Sequence, residues 1–115
     1  MALPTFQIDV RSPAKGIRIL DIQGPLTGSS EGALEAAYST AGSDVKTIIL
    51  NMSQAQPIDG LGAGLLIALQ ARTRKRRQRL LAYGLSATCM RAFQLTHLDE
   101  VVGLYANEVE ALGSL

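Results

Sequence analysis

The densest group of unusual residues is IDGLGAGLL, Ile58 to Leu66, where Asp59 precedes glycines at 60, 62 and 64 and an apolar run of helical character. An interior helical glycine costs roughly 1 kcal/mol against alanine. Three in one first turn therefore need a purpose: cradling a phosphate, admitting a partner, or packing tightly on a sheet. Asp59 stands where an N-cap belongs, its carboxylate placed to accept from the amide of Leu61 or Gly62. A nucleotide P-loop needs Lys then Ser or Thr after its last glycine, but Gly64 is followed by Leu65 and Leu66. A dinucleotide fingerprint needs glycine or alanine where Leu65 stands, and an acid about 20 residues on, where Arg79 and Leu80 stand. Close approach remains: small residues at 60, 62, 63 and 64 bare the first turn to the sheet or to another protein.

Other reactive types are scattered. His97 is the only histidine and Cys89 the only cysteine. His97 reads as a surface loop residue with no partner for general-base work, and Cys89 as a small core residue of an amphipathic helix. One Cys and one His cannot build a structural zinc site, so no enzyme, metal site or cofactor is expected. The run RTRKRRQR, Arg72 to Arg79, holds six of the 11 cationic residues. Cations at a helix end complement its dipole, but four in succession, Arg74 to Arg77, exceed what capping needs and leave an anion-binding role open.

With 115 residues, 47% of them hydrophobic, the chain suits one domain, 1–115, whose core needs no staples. Its 11 Lys and Arg against 10 Asp and Glu create no global field for a polyanion. A lone cysteine and the lack of a secretory leader point to the cytoplasm. No apolar window reaches the ~18 residues of a membrane span, so membrane insertion is not expected. Tryptophan is absent and aromatics are 4%, which argues against a stacking platform for nucleic acid.

These residues must be positioned by an α/β fold. FQIDVRSP and GIRILDIQGPL read as a hairpin turned at Pro13 to Gly16. A helix through EGALEAAYSTA follows, with Ser29 or Ser30 as its cap and Leu34, Ala37, Tyr38 and Ala41 on one face. VKTIILNM has the continuous apolar character of a central strand covered on both sides. A loop at Gln54 to Pro57 leads to a long helix from Gly60 to Arg77, its stripe Leu61, Leu65, Ala68 and Leu69 facing the sheet. RLLAYGL is a strand, SATCMRAFQLT a helix, VVGLYA a short strand, and NEVEALGSL a last helix capped by Asn107. The order β-β-α-β-α-β-α-β-α implies a mixed, mostly parallel sheet with an N-terminal hairpin and about four helices.

In this order the chain resembles the STAS domain family of anti-sigma factor antagonists. The resemblance runs through ILDIQGPLT, a strand ending in a DLS-like tripeptide (Asn51-Met52-Ser53), a D-S-S-G-L-G-like turn (Asp59 to Gly64), a basic helix end, and the LTGLDE-like segment Leu95 to Glu100. It implies a non-catalytic regulator that binds an anti-sigma factor or a related kinase-like protein, with a homo-oligomer compatible. It places partner binding at Asp59, Gly60, Leu61, Gly62 and Ala63, with Asp21, Gly24, Thr27 and Gly28 on an adjacent edge. The family's phosphoacceptor serine is Gly60 here, and the next serine is Leu61, so no phosphorylation is expected at the family position. Other departures are Asn51 for the usual acid, Thr27 for the aspartate of the second strand, and His97 for a glycine. An accessory STAS subunit of a transport or signalling complex is the alternative within the family. A nucleotide- or anion-binding domain using the bare helix terminus is the alternative outside it. Ser29, Ser30 and Ser53 are the candidate hydroxyls for phosphorylation elsewhere, and a Gly62→Arg variant is expected to lose its partner while remaining folded.

Overall fold

The opening hairpin joins an alternating polar and apolar first strand to a second strand apolar on both faces. In the computed structural model, which describes residues 5–115 of the expected 1–115 domain, β1 (Gln7–Arg11) pairs antiparallel with β2 (Ile17–Leu26), Gln7 opposite Gln23 and Arg11 opposite Ile19. β3 (Thr47–Ile58), β4 (Arg79–Tyr83) and β5 (Gly103–Tyr105) then add in chain order, each parallel to its predecessor. The result is a five-stranded sheet of order β1-β2-β3-β4-β5.

Because side chains alternate along each strand, the central strands divide their apolar residues between two faces. Leu20, Ile22, Ile48, Leu50, Met52, Leu80 and Ala82 meet α1 (Glu31–Ser39), α2 (Gly60–Lys75) and α3 (Ala87–Leu95) in the larger core. Ile19, Ile49, Leu81 and Tyr83 form the smaller core on the other face with Ala111 of α4 (Glu108–Gly113). The continuous apolar run of β3 is explained by this double cover. Leu34, Ala37, Tyr38 and Ala41 are buried together, as their spacing requires.

Four expectations change. Residues Gln54 to Pro57 are not a loop but part of β3: Gln54 pairs with Gln23, Ala55 with Gly24 and Ile58 with Leu26. Ala55 is fully buried, with its carbonyl accepting from Cys89 Sγ at 3.1 Å. The stripe that α2 buries is Gly62, Ala63, Leu66, Leu69 and Thr73, while Leu61 is 71% exposed. The helix is rotated from the expected stripe because its glycine, not its leucine, faces the end of β2. Neither Ser29 nor Ser30 caps α1 with its side chain. A 3-10 turn, Gly28–Ser30, precedes the helix, and the buried Ser30 hydroxyl instead accepts from the Thr27 amide (3.0 Å) and donates to the Pro25 carbonyl (3.2 Å).

Finally, α2 ends at Lys75 rather than Arg77. The Arg77 amide bonds the Arg74 carbonyl at 3.1 Å and the Gln78 amide bonds the Thr73 carbonyl at 2.8 Å, the paired bonds of a Schellman stop. Arg77 occupies the left-handed position of that stop at φ 59°. Glycine is the usual occupant, and a side chain there costs on the order of 1 kcal/mol.

Candidate functional site

The α2 terminus stands at the carboxyl ends of the parallel strands, where open α/β sheets place their binding sites. Asp59 is extended at φ −103°, and its carboxylate accepts from the Gly62 amide at 2.7 Å. Its own amide donates to the Leu26 carbonyl at 3.2 Å, which ties the turn to the end of β2. A Cβ on Gly62 would lie 2.0 Å from the Leu26 oxygen, whereas Cβ atoms on Gly60 and Gly64 would meet nothing within 4 Å. The glycines thus divide: one is required by the domain's own packing, and two leave open surface.

Leu61 projects between the open glycines and touches Gly28, where an added Cβ would come within 2.9 Å of Leu61 Cδ1. Thr27, Gly28 and the turn therefore form one continuous surface. Helical spacing carries it on from Leu61 to Gly64, Leu65 and Ala68. Leu65 and Ala68 line a shallow cleft of about 90 Å³ against Leu34 and Tyr38 of α1, closed at its far end by the Arg72–Glu35 ion pair. Gly64 is among the small residues expected to bare the turn; sequence reasoning assigns Leu65 and Ala68 to the sheet-facing stripe, whereas Leu65 is half-buried and Ala68 exposed, and their i+4 and i+7 relation to Leu61 is the available signal. Gly62 and Ala63 are buried. A Gly62→Arg variant would therefore disrupt packing before it tested docking, which corrects the expectation that it remains folded.

Asp21 is not part of this surface. It lies on the α4 face of the sheet, in a polar cluster that crosses four strands. Arg11 donates through Nε to Asp21 Oδ2 (2.5 Å) and through Nη2 to Asp21 Oδ1 (2.8 Å) and Glu108 Oε1 (2.6 Å). Tyr83 Oη donates to Glu108 Oε1 at 2.9 Å, and Asn51 Nδ2 donates to Asp21 Oδ1 at 2.7 Å. Asn51 Oδ1 accepts from the Ser53 amide and hydroxyl at 3.1 and 2.6 Å. Arg11 lowers the pKa of Asp21 against the opposing effect of burial, and Arg11 then Tyr83 lower that of Glu108. Burial, then Glu108, pushes the Tyr83 phenol up to about 12.

The cluster joins the first strand to the last helix, and its pH dependence has a definite sign. Both carboxylates are more acidic folded than unfolded, so their contribution is whole above the ordinary carboxylate range near 4 and is lost as pH falls through and below it. The urea midpoint of the wild type is expected to drop between about pH 5 and pH 3, and Arg11→Met, about 1 kcal/mol less stable at pH 7, to drop less. Parallel pH profiles for the two proteins would contradict this.

With this geometry in place, comparison with known proteins is decisive on one point: the STAS domain model matches residues 10–111. The chain belongs to the STAS domain family. This STAS domain is similar to the anti-sigma factor antagonist SpoIIAA in its unphosphorylated form, at 23% identity and TM-score 0.77 over 92% of this chain and 93% of that one. An anti-sigma factor antagonist from Mycobacterium paratuberculosis matches at 20% identity and TM-score 0.81 over 96% and 93%. A sulfate transporter family protein from Wolinella succinogenes matches at 26% identity and TM-score 0.66 over 76% of each chain. No curated protein matches the STAS domain significantly.

Gly24, at φ +85°, abuts Thr5 rather than the α2 turn, since a Cβ there would lie 2.6 Å from the Thr5 carbonyl. His97 is exposed at φ 60° beside Glu100, Nδ1 to Oε2 2.6 Å. The left-handed backbone accounts for the glycine that the family resemblance implies at this position. Cys89 is fully buried. Among the hydroxyls considered for modification, Ser30 is buried while Ser29 and Ser53 are exposed.

Proposed function

We propose that this STAS domain is a non-catalytic, cytoplasmic regulatory module that docks another protein through the α2 turn, as an anti-sigma factor antagonist does. The partner class is an anti-sigma factor or a related kinase-like regulator. The observation that carries the reading is the uncovered first turn: Gly60 and Gly64 face open space and Leu61 is 71% exposed beside Gly28. An exposed leucine within bare backbone is a contact in search of a surface. A phosphate at such a terminus would add about −1.5 to −2 charge and obstruct docking. Gly60 and Leu61 have no hydroxyl to receive it, so docking through this turn is constitutive.

Affinity capture followed by titration tests this. Leu61→Glu, an exposed change that leaves the buried stripe intact, is expected to weaken partner binding at least about tenfold, the typical loss at an interface anchor. An unchanged dissociation constant would remove the turn from the interface. An accessory role in a transport complex is supported by the likeness to the sulfate transporter family protein; a transporter rather than a kinase-like protein in the captured material would favour it. The anion-binding alternative is weakened by Asp59, whose carboxylate already occupies the Gly62 amide.

A further inference from the structure

The end of the domain opposite the docking turn collects cations that the sequence scatters. Topology forces this. The parallel strands start in one row, where the Lys46 amide bonds the Gly16 carbonyl and the Arg79 amide bonds the Lys46 carbonyl, each at 2.8 Å. Lys15 precedes Gly16, and α2, running back from β3 to β4, delivers Arg74 to Arg77 to the same edge. Among the described residues, Arg72 alone of the Arg72–Arg79 run has a carboxylate partner, Glu35. No ion pair among the described residues engages Arg74 to Arg77 or Arg79. The acids at this end are Asp44, Asp99 and Glu100, and Glu100 is paired with His97.

Two concavities notch this end and share Gln78. One, of about 260 Å³, is flanked by Lys46 and Arg76. The other, of about 380 Å³, is flanked by Arg74 and Arg79 and includes Val101, which is 51% exposed. Arg77 adds an independent observation. It holds the left-handed stop of α2, where glycine would relieve the backbone, so the chain tolerates strain at the position that puts a fourth consecutive cation on the helix end.

We propose that this basic end is a peripheral docking surface for an anionic lipid bilayer. Arg74 flanks one concavity and Arg76 the other, with Arg77 at the left-handed stop between α2 and β4, so the four cations spread about the helix end instead of lining one face. A plane met end-on touches them all, together with Lys15, Lys46 and Arg79, whereas a polymer lying along the helix reaches one side. The apolar Val101 beside Arg74 and Arg79 suits an interfacial contact, and few aromatic side chains are present for base stacking. The α2 turn lies a helix length away, about 24 Å, so it faces outward from a bound membrane. This inference does not depend on the identity of the docking partner.

The test is co-sedimentation of the full chain with phosphatidylcholine vesicles, with and without ~30 mol% phosphatidylserine, at about 50 and 500 mM salt. Binding is expected only with the anionic lipid and only at low salt. Arg74, Lys75, Arg76 and Arg77 are all exposed, so R74Q/K75Q/R76Q/R77Q should retain the wild-type circular dichroism and bind at least ~100-fold more weakly, each cation contributing roughly fivefold. Arg77→Gly separates the proposal from simple helix capping: it should raise the melting temperature while weakening vesicle binding roughly fivefold. Absence of anionic-lipid binding, binding undiminished in the quadruple variant, or retention of an RNA strand without vesicle binding would each overturn it.

Discussion

Gly62→Ala is expected to destabilise the domain by about 3 kcal/mol, whereas Gly60→Ala and Gly64→Ala are expected to stabilise it by about 0.5 to 1 kcal/mol each. The three glycines are interchangeable by composition and opposite by environment. At Gly62 the new methyl would meet the Leu26 oxygen at 2.0 Å, the Leu26 carbonyl carbon at 2.6 Å and the Thr27 nitrogen at 3.2 Å. All three are backbone atoms, and the Leu26 carbonyl is also bonded by the Asp59 amide. No rotamer change relieves the clash; either α2 lifts from the sheet or the end of β2 bends. At Gly60 and Gly64 nothing lies within 4 Å and neither φ is positive, so alanine restricts the unfolded chain without strain in the folded one. Thermal melts read the contrast: a fall of roughly 10 to 20 °C for Gly62→Ala against a rise of a few degrees for the others. A Gly62→Ala protein melting within about 2 °C of wild type would refute the assignment.

The second large effect is expected from Asn51→Asp, which restores the acid implied by the family resemblance. In this chain Asn51 Nδ2 donates to Asp21 Oδ1 at 2.7 Å. Aspartate would exchange that donor for a second carboxylate, and two carboxylates at hydrogen-bonding distance cannot both ionise freely. A loss of about 2 kcal/mol at pH 7 is expected from the broken bond and the like-charge contact. One member of the pair then has a raised pKa in the folded state. Its penalty is complete above that pKa and is relieved as the group protonates, so the variant's deficit relative to wild type should shrink as pH falls towards 5. Asp21→Asn combined with Asn51→Asp restores one donor facing one acceptor and should recover much of the loss. Chemical denaturation at pH 7 and pH 5 decides the matter: a pH-independent deficit would place the cause in packing.

The polar cluster also shows why the first strand and last helix matter to one another. Arg11 and Glu108 are separated by 97 positions and bonded at 2.6 Å. Neither residue stands out in the chain as read, because an arginine in an alternating strand and a glutamate in a first helical turn are ordinary in both places. Asp21 drew attention through the family resemblance as an edge of the docking surface, yet its side chain is committed to Arg11 and Asn51 on the opposite face.

What the sequence by itself determined is whatever is encoded within three or four residues. Asp59 and Asn107 cap their helices through the amides of Gly62 and Glu110, because a cap is a local bond between near neighbours. The order of strands and helices, the parallel sheet and the double cover of β3 follow from periodicities of two and 3.6 and from connection rules. The missing hydroxyl at position 60 is likewise legible without coordinates. Only the tertiary structure decided matters that hinge on distant neighbours. Gln54 to Pro57 is polar enough to read as loop, but β2 supplies the partner that makes it strand. α2 carries apolar residues around much of its circumference, so periodicity could not choose its buried face; the Leu26 carbonyl, 36 positions before Gly62, chose it by leaving no room for a side chain. The basic end is a local run joined by Lys15 and Lys46 solely because parallel strands begin side by side. Side-chain period and capping are short-range physics, whereas burial and charge neighbourhood are properties of the packed chain.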